Sequence, residues 1–257
     1  MTIPLHASRI EQSFRRGFAS YDSHASCQKE IASKLAALFL QKSGVTAVES
    51  LLEIGCGTGF LTRALAQRLS ADHRVLNDLV PESREYLDRL PDLGYWDFLP
   101  GSVETTPLPG QFDLITSASA LQWVSDTPAL LQRLCDHLNP GGWLAISSFG
   151  PDHFRELRAF HDQPCDMAYF GSEEWHAMLP EDMKVCHIAQ DHQTDWFERP
   201  LDLLKHLRKT GVNGNAKQQW SRRDLMRFSQ DYKHQFGTKN GDVTLTWAPV
   251  YVIAQKA

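Results

Sequence analysis

Residues 51–62 read LLEIGCGTGFLT: an apolar run, an acid, three alternating glycines, then a helix-like stretch. Glycine at that spacing belongs where backbone must take positive φ or lie bare against a ligand. The flanks restrict the setting further. SLLEI reads as a strand and LTRALAQRLS as a helix, so the glycines sit where a strand hands over to a helix. That is the place where doubly wound α/β folds bind nucleotides.

The rhythm continues downstream. RVLND is a candidate strand and PESREYLDRL a helix opened by proline; YWDFLPG and FDLITSAS are strands, TPALLQRLCDHL a helix and WLAISSFG a strand. Such alternation predicts a parallel sheet with helices on both faces. Upstream, Ile10, Phe14 and Phe18 recur every four residues, and CQKEIASKLAALFLQ is a second amphipathic helix closed by Lys42, Ser43 and Gly44. After Gly150 the reading is a helix over DHFRELRAFHD, a strand over MKVCHIAQDHQTDWF, helices over LDLLKHLRK and RRDLMRFSQDYKHQF, and a closing strand VTLTWAPVYVIAQ. With no repeat or linker, the 257 residues are expected to form one domain: an N-terminal cap over 1–46, a cofactor-binding core over 47–150, and lid helices with the last strands over 151–257.

Composition excludes several classes. No apolar run approaches the length of a membrane span, and the start MTIPLHASRIEQSFRR lacks a signal core, so a cytoplasmic protein is expected. The five cysteines are scattered without a CxxC pair, and no Cys/His cluster has metal-ligand spacing, so no metal is expected. The net charge of −5 is uneven. Between Arg199 and Lys239 ten Lys/Arg face three Asp, giving +7 and leaving −12 elsewhere.

The glycines discriminate among nucleotides. A dinucleotide fingerprint needs a small residue three positions after its second glycine, and that position is Phe60. The pattern E-x-G-x-G-x-G, Glu53 to Gly59, instead resembles motif I of the class I S-adenosylmethionine-dependent methyltransferases, which implies a Rossmann-like, mostly parallel seven-stranded sheet with a helical lid. Asp78 ends the next strand nineteen residues after Gly59, where an acid accepts hydrogen bonds from ribose hydroxyls. After the third strand, where that superfamily often carries Asp, stand Ser102 and Val103.

The acceptor class follows from the segment after the fourth strand. SASALQW is not the [DN]PP[YF] of amino-group methylators, and the Pro164–Cys165 pair lies after the fifth strand rather than in the cytosine-enzyme position, so a nucleic-acid substrate is not expected. FRRGFASYDSHASCQ, LQWVSD, NPGGWLAISSFG, LLKHLRKTGVNG and LTWAPVYVIAQKA resemble the malonyl-acyl-carrier-protein O-methyltransferase family of biotin synthesis, across most of the chain. The YD and LQW stretches are shared with trans-aconitate methyltransferases, which keeps a free-acid substrate open. The resemblance implies methyl-ester formation on a malonyl thioester, with acyl-carrier protein or coenzyme A as the thiol. It implies cofactor contacts at Arg16, Glu53, Gly55, Cys56, Gly57, Gly59, Asp78, Leu79, Ser102, Val103 and Ser117. Tyr21, Gln122 and Arg208 become the candidate catalytic residues, and Trp123, Lys209 and His24 the candidate acceptor pocket. A carboxylic acid of pKa about 4 is ionised at neutral pH and needs orienting, not deprotonating. Arg208, where relatives carry a basic residue, is the expected partner of that carboxylate, with Lys209 next in line.

Overall fold

The computed structural model describes residues 5–160, 167–210 and 221–257. Helices α1 (Leu5–His24) and α2 (Ser26–Ser43) lead into strand β1 (Ala47–Ile54). Gly44, at φ +69, ends α2 and donates its N–H to Leu40 O, which is the left-handed stop that glycine permits. Then follow α3 (Phe60–Ala66), β2 (Ser70–Asp78), α4 (Ser83–Leu87), β3 (Trp96–Pro100) and β4 (Phe112–Ala118). A 3-10 turn at Leu121–Trp123 precedes α5 (Thr127–Asp136) and β5 (Leu138–Phe149). The remainder comprises α6 (Arg155–Arg158), α7 (Ser172–Met178), β6 (Met183–Gln190), β7 (Gln193–Phe197), α8 (Pro200–Lys209), α9 (Arg222–Phe236), β8 (Val243–Trp247) and β9 (Pro249–Lys256).

The main sheet has seven strands in the order β3-β2-β1-β4-β5-β9-β6. The first five are parallel, and β9 runs antiparallel between β5 and β6. This is the class I methyltransferase fold that the sequence predicts. Both faces are covered, so the strands are apolar at successive positions. Leu51, Leu114, Ala145 and Ile253 pack with Ile31, Leu35 and Phe39 of α2 on one side. Leu52, Ile115, Leu144 and Val252 pack with Leu130, Leu131 and Leu134 of α5 on the other.

The expected late elements need correcting. The segments read as two long strands each divide, and β7 pairs with β8 in a separate ribbon. The break falls at Asp191–His192 and at Ala248. There Gly150 N–H donates to Ala248 O and Asp191 N–H to Pro249 O, so the ribbon leaves the main sheet without orphaning its backbone. The helix expected over 152–162 is only α6, entered through Phe154 at φ +52, because the preceding turn turns its aromatic side chains inward; residues 161 and 162 lie outside the described residues. Helix α3 stops at Ala66, since Leu69 and Ser70 already belong to the approach and start of β2. Helix α7 was not anticipated.

Strand order reverses at β1, which has β2 on one side and β4 on the other. The crevice at their carboxyl ends is where such sheets bind ligands. It is roofed by α1.

Candidate active site

Strand β1 is fully buried over its last four residues and delivers Glu53, 1% exposed, to the mouth of the crevice. The loop then turns through Gly55, Gly57 and Gly59 at φ +65, +53 and +85. The three glycines serve different ends. A Cβ on Gly55 would stand 2.4 Å from Ala120 Cβ, and one on Gly59 would stand 2.5 Å from Leu90 Cδ1. On Gly57 it would meet nothing within 4 Å. Two glycines permit packing, and the middle one faces open space.

Asp78 holds this loop. Its carboxylate accepts the Gly57 N–H at 2.7 Å and the Val80 N–H at 2.8 Å, and burial pushes its pKa up while those two bonds and the neighbouring Ser83 hydroxyl pull it back.

Two cavities adjoin here. The first lies over the loop against Glu53, Gly55, Cys56, Gly57, Thr58 and Phe60, with Tyr21, Gln28 and Ala32 closing it from the N-terminal helices. The second is lined by Phe14, Ser119, Gln122, Trp123, Phe149, His153, Met167 and Trp247. Tyr21 and Gln28 border both. Several buried polar atoms around them have no hydrogen-bond partner: Gln28 Oε1, Glu53 Oε2, Thr58 Oγ1, Ser119 Oγ and Gln122 Oε1. Orphans at this density mark places where a polar ligand completes the bonding. Burial pushes the Glu53 carboxyl up to about 8, raises the Tyr21 phenol and the Cys56 thiol, and drives His153 well below the ordinary histidine range.

Of the residues expected from the sequence, Tyr21, Glu53, Gly55, Cys56 and Gly57 line the first cavity, and Gln122 and Trp123 the second. Gly59 is the N-cap of α3, and Leu79 is half-buried just past Asp78. Others sit off the described lining. Ser117 Oγ donates to Ile54 O across the β1–β4 pair, leaving Ala118 and Ser119 to face the cavities. Ser102 receives the Glu104 N–H in a local turn, and Val103 is core, its carbonyl taken by Arg133. Arg16 is exposed and bonded to Gln12 O. Arg208 is exposed at the end of α8, whereas Lys209 bonds His24 Nε2 at 2.8 Å and so ties α8 to α1. The expectation that Arg208 meets the acceptor inside the pocket thus finds no support in its placement. Sequence reasoning passed over Gln28, although it closes the quoted stretch FRRGFASYDSHASCQ, and marked His153 only as a candidate neighbour of the site, with no chemical role. Among the described residues no group of His, Cys, Asp or Glu is placed to hold a metal.

A family profile described as a methyltransferase domain matches residues 21–209. A malonyl-[acyl-carrier protein] O-methyltransferase from Acinetobacter baylyi is 34% identical over 100% of this chain and 99% of its own length. One of the same name from Haemophilus influenzae is 34% identical over 96% of this chain and 94% of its own. This chain belongs to that family. It also spans half of a longer relative of that name from Bacteroides fragilis. In structure it is similar to the N-methyltransferase NodS of Bradyrhizobium japonicum, solved with S-adenosyl-L-homocysteine, at a TM-score of 0.60 and 17% identity over 96% of this chain and 98% of that one.

The methyl donor of this methyltransferase is S-adenosylmethionine, and the first cavity suits it. The bare face of Gly57 admits close approach of a ligand, the unpartnered Glu53 Oε2 offers an acid to a cationic one, and the Tyr21–Phe60 stack, 5.7 Å between centroids, closes the mouth. No helix among the described residues is long and apolar enough to cross a membrane.

Proposed function

We propose that this protein methylates the free carboxylate of a malonyl group carried as a thioester on acyl-carrier protein, giving the methyl ester. The observation that carries the reading is the end-to-end match to relatives of that name. The cavities are consistent with it. When bound, S-adenosylmethionine supplies a methyl on a positively charged sulfur, which an ionised carboxylate displaces without any base.

The chain's own residues then have three tasks. Glu53, Asp78 and the Gly55–Gly59 loop hold the donor. Tyr21 and Gln28, bordering both cavities, align donor and acceptor. The second cavity, rich in aromatic side chains, takes the short acyl arm and keeps water from the carboxylate. As in the biotin route that the sequence resemblance implies, the ester would mask a charge that chain elongation does not tolerate.

The basic stretch from Arg199 to Lys239 is the proposed carrier-docking surface. Arg208 on α8 and Arg222, Arg223, Arg227 and Lys233 on α9 are exposed, and Lys217 lies outside the described residues. Arg208 belongs to this surface in our reading, so Arg208→Ala should raise KM for the carrier-bound substrate and leave turnover of a malonyl-pantetheine thioester near the parent value. An equal loss on both substrates would place Arg208 at the chemistry instead.

A further inference from the structure

His153 follows β5 in the turn before α6 and is 1% exposed, yet its ring lines the second cavity. It is stacked between Phe149 and Phe154, each 3.8 Å away between centroids, with Trp247 at 5.3 Å. Shape alone does not call for histidine here. Phenylalanine would fill an aromatic stack with no polar group to desolvate.

The ring's protonation follows from its contacts. Ala248 N–H donates to Nδ1 at 3.4 Å. A nitrogen that accepts is unprotonated, so the imidazole is neutral and its proton sits on Nε2. Burial keeps it neutral, and Arg158, the charged group acting on it, works in the same direction. Around the same cavity Gln28 Oε1, Gln122 Oε1 and Ser119 Oγ lack partners, and none of the described lining residues is Arg or Lys.

We infer that His153 touches the acceptor, donating its Nε2–H to the carboxylate that is to be methylated. The inference rests on the carboxyl-methylation reading above. Its chemical sense lies in strength: a carboxylate gripped by a fixed cation is a poorer nucleophile, while a neutral N–H orients it and leaves the reacting lone pair available. The partnerless Ser119 hydroxyl is placed to assist.

The test compares the parent with His153→Phe and His153→Gln on malonyl-pantetheine. Phe keeps the ring, and Gln keeps an N–H near the Nε2 position. We expect His153→Phe to lower kcat/KM by at least about tenfold, the loss of one hydrogen bond to a charged group. His153→Gln should recover part of it, with calorimetric affinity for S-adenosylhomocysteine unchanged in both. An unaltered kcat/KM in His153→Phe, or a parallel fall in cofactor affinity, would make the residue a packing element and overturn the assignment. A parent that turns over no malonyl thioester would instead overturn the substrate reading beneath it. One measurement does not depend on the variants folding. In 15N-histidine-labelled parent saturated with S-adenosylhomocysteine, malonyl-pantetheine should shift the His153 Nε2 resonance with the ring still neutral; an unmoved resonance would contradict the contact.

Discussion

Gly55 and Gly57 are two residues apart and serve opposite needs, which makes them separable by mutation. Alanine at Gly55 collides with Ala120, so Gly55→Ala should destabilise the fold by about 1–3 kcal/mol as overpacking does. Gly57→Ala meets no neighbour and bears only the strain of φ +53, about 1–2 kcal/mol for an L-residue in that region. It should nevertheless lose more cofactor affinity than Gly55→Ala does relative to its stability change. Thermal unfolding and calorimetry read the two quantities separately; equal affinity in Gly57→Ala and parent would remove the ligand from that face. Glu53 makes a second prediction at this scale. With a carboxyl near 8 in the empty protein against an ordinary 4.5, it is protonated at pH 7. A cationic ligand favours the charged form, so binding should release a proton, and affinity should climb with pH to about 8 and then level. The raised value also means that the empty fold loses this group's contribution as pH rises toward 8, so cofactor-induced thermal stabilisation should grow over the same window. Calorimetry at pH 7 in buffers of different ionisation enthalpy detects the proton; no release, with affinity flat from pH 6 to 9, would contradict it. The motif was legible in sequence because E-x-G-x-G-x-G fixes backbone, but the division of labour among its glycines depends on Ala120 and Leu90, remote in the chain.

Helix α1 acts as a roof through one aromatic stripe. Phe14 meets Trp123 edge-on at 5.3 Å, Phe18 meets Tyr86 at 5.0 Å, and Tyr21 stacks on Phe60. Each anchors to a different element: the 3-10 turn, α4 and α3. Its C-terminal end is tied to α8, where Ser20 Oγ donates to Lys209 O and the Lys209 ammonium bonds His24. Phe18, 9% exposed, is the central clasp. Truncating it should loosen the roof by about 3 kcal/mol, the usual loss for a buried Phe→Ala. Phe18→Ala should therefore speed proteolysis and hydrogen exchange within α1, and raise the cofactor Kd while leaving the sheet's protection intact. Unchanged α1 exchange would mean that the helix is held elsewhere. The spacing of Ile10, Phe14 and Phe18 announced the helix, since periodicity is local. Its partners were not readable, because nothing in a stripe of aromatics names the elements it will meet. The division of the last strands left local marks, a polar run over 190–195 and Pro249 after Ala248, but that the two severed pieces pair with each other as a ribbon is fixed only by tertiary hydrogen bonds.

At the scale of the whole molecule the charge is asymmetric, and the basic side chains of α8 and α9 that the structure describes as exposed stand where an acidic partner can reach them, Arg227 in an ion pair with Asp231 of its own helix. Attraction between such surfaces is screened over a Debye length of about 8–10 Å at physiological salt. Reversing Arg222 and Arg223 to Glu should raise KM for malonyl-carrier protein, most at low salt, and hardly touch malonyl-pantetheine; identical KM values on the carrier would move the docking surface elsewhere. The mostly parallel sheet, the cofactor crevice and the carboxyl-methylating family were legible in the chain because strand–helix alternation and the motifs are local in sequence, whereas the strand order is set by tertiary pairing. The acceptor pocket was less so. His153, Phe149 and Trp247 come from β5, the turn after it and β8, and they meet only because β9 inserts between β5 and β6 and carries the β8 ribbon over that end of the sheet. The central claim is methyl transfer to a carrier-bound malonyl carboxylate. Intact-mass measurement of malonyl-carrier protein after incubation with enzyme and S-adenosylmethionine tests it most directly. The account predicts one added methyl on the malonyl species and none on acetyl-carrier protein, which lacks the free carboxylate. No mass gain on malonyl-carrier protein, with trans-aconitate methylated under the same conditions, would contradict it.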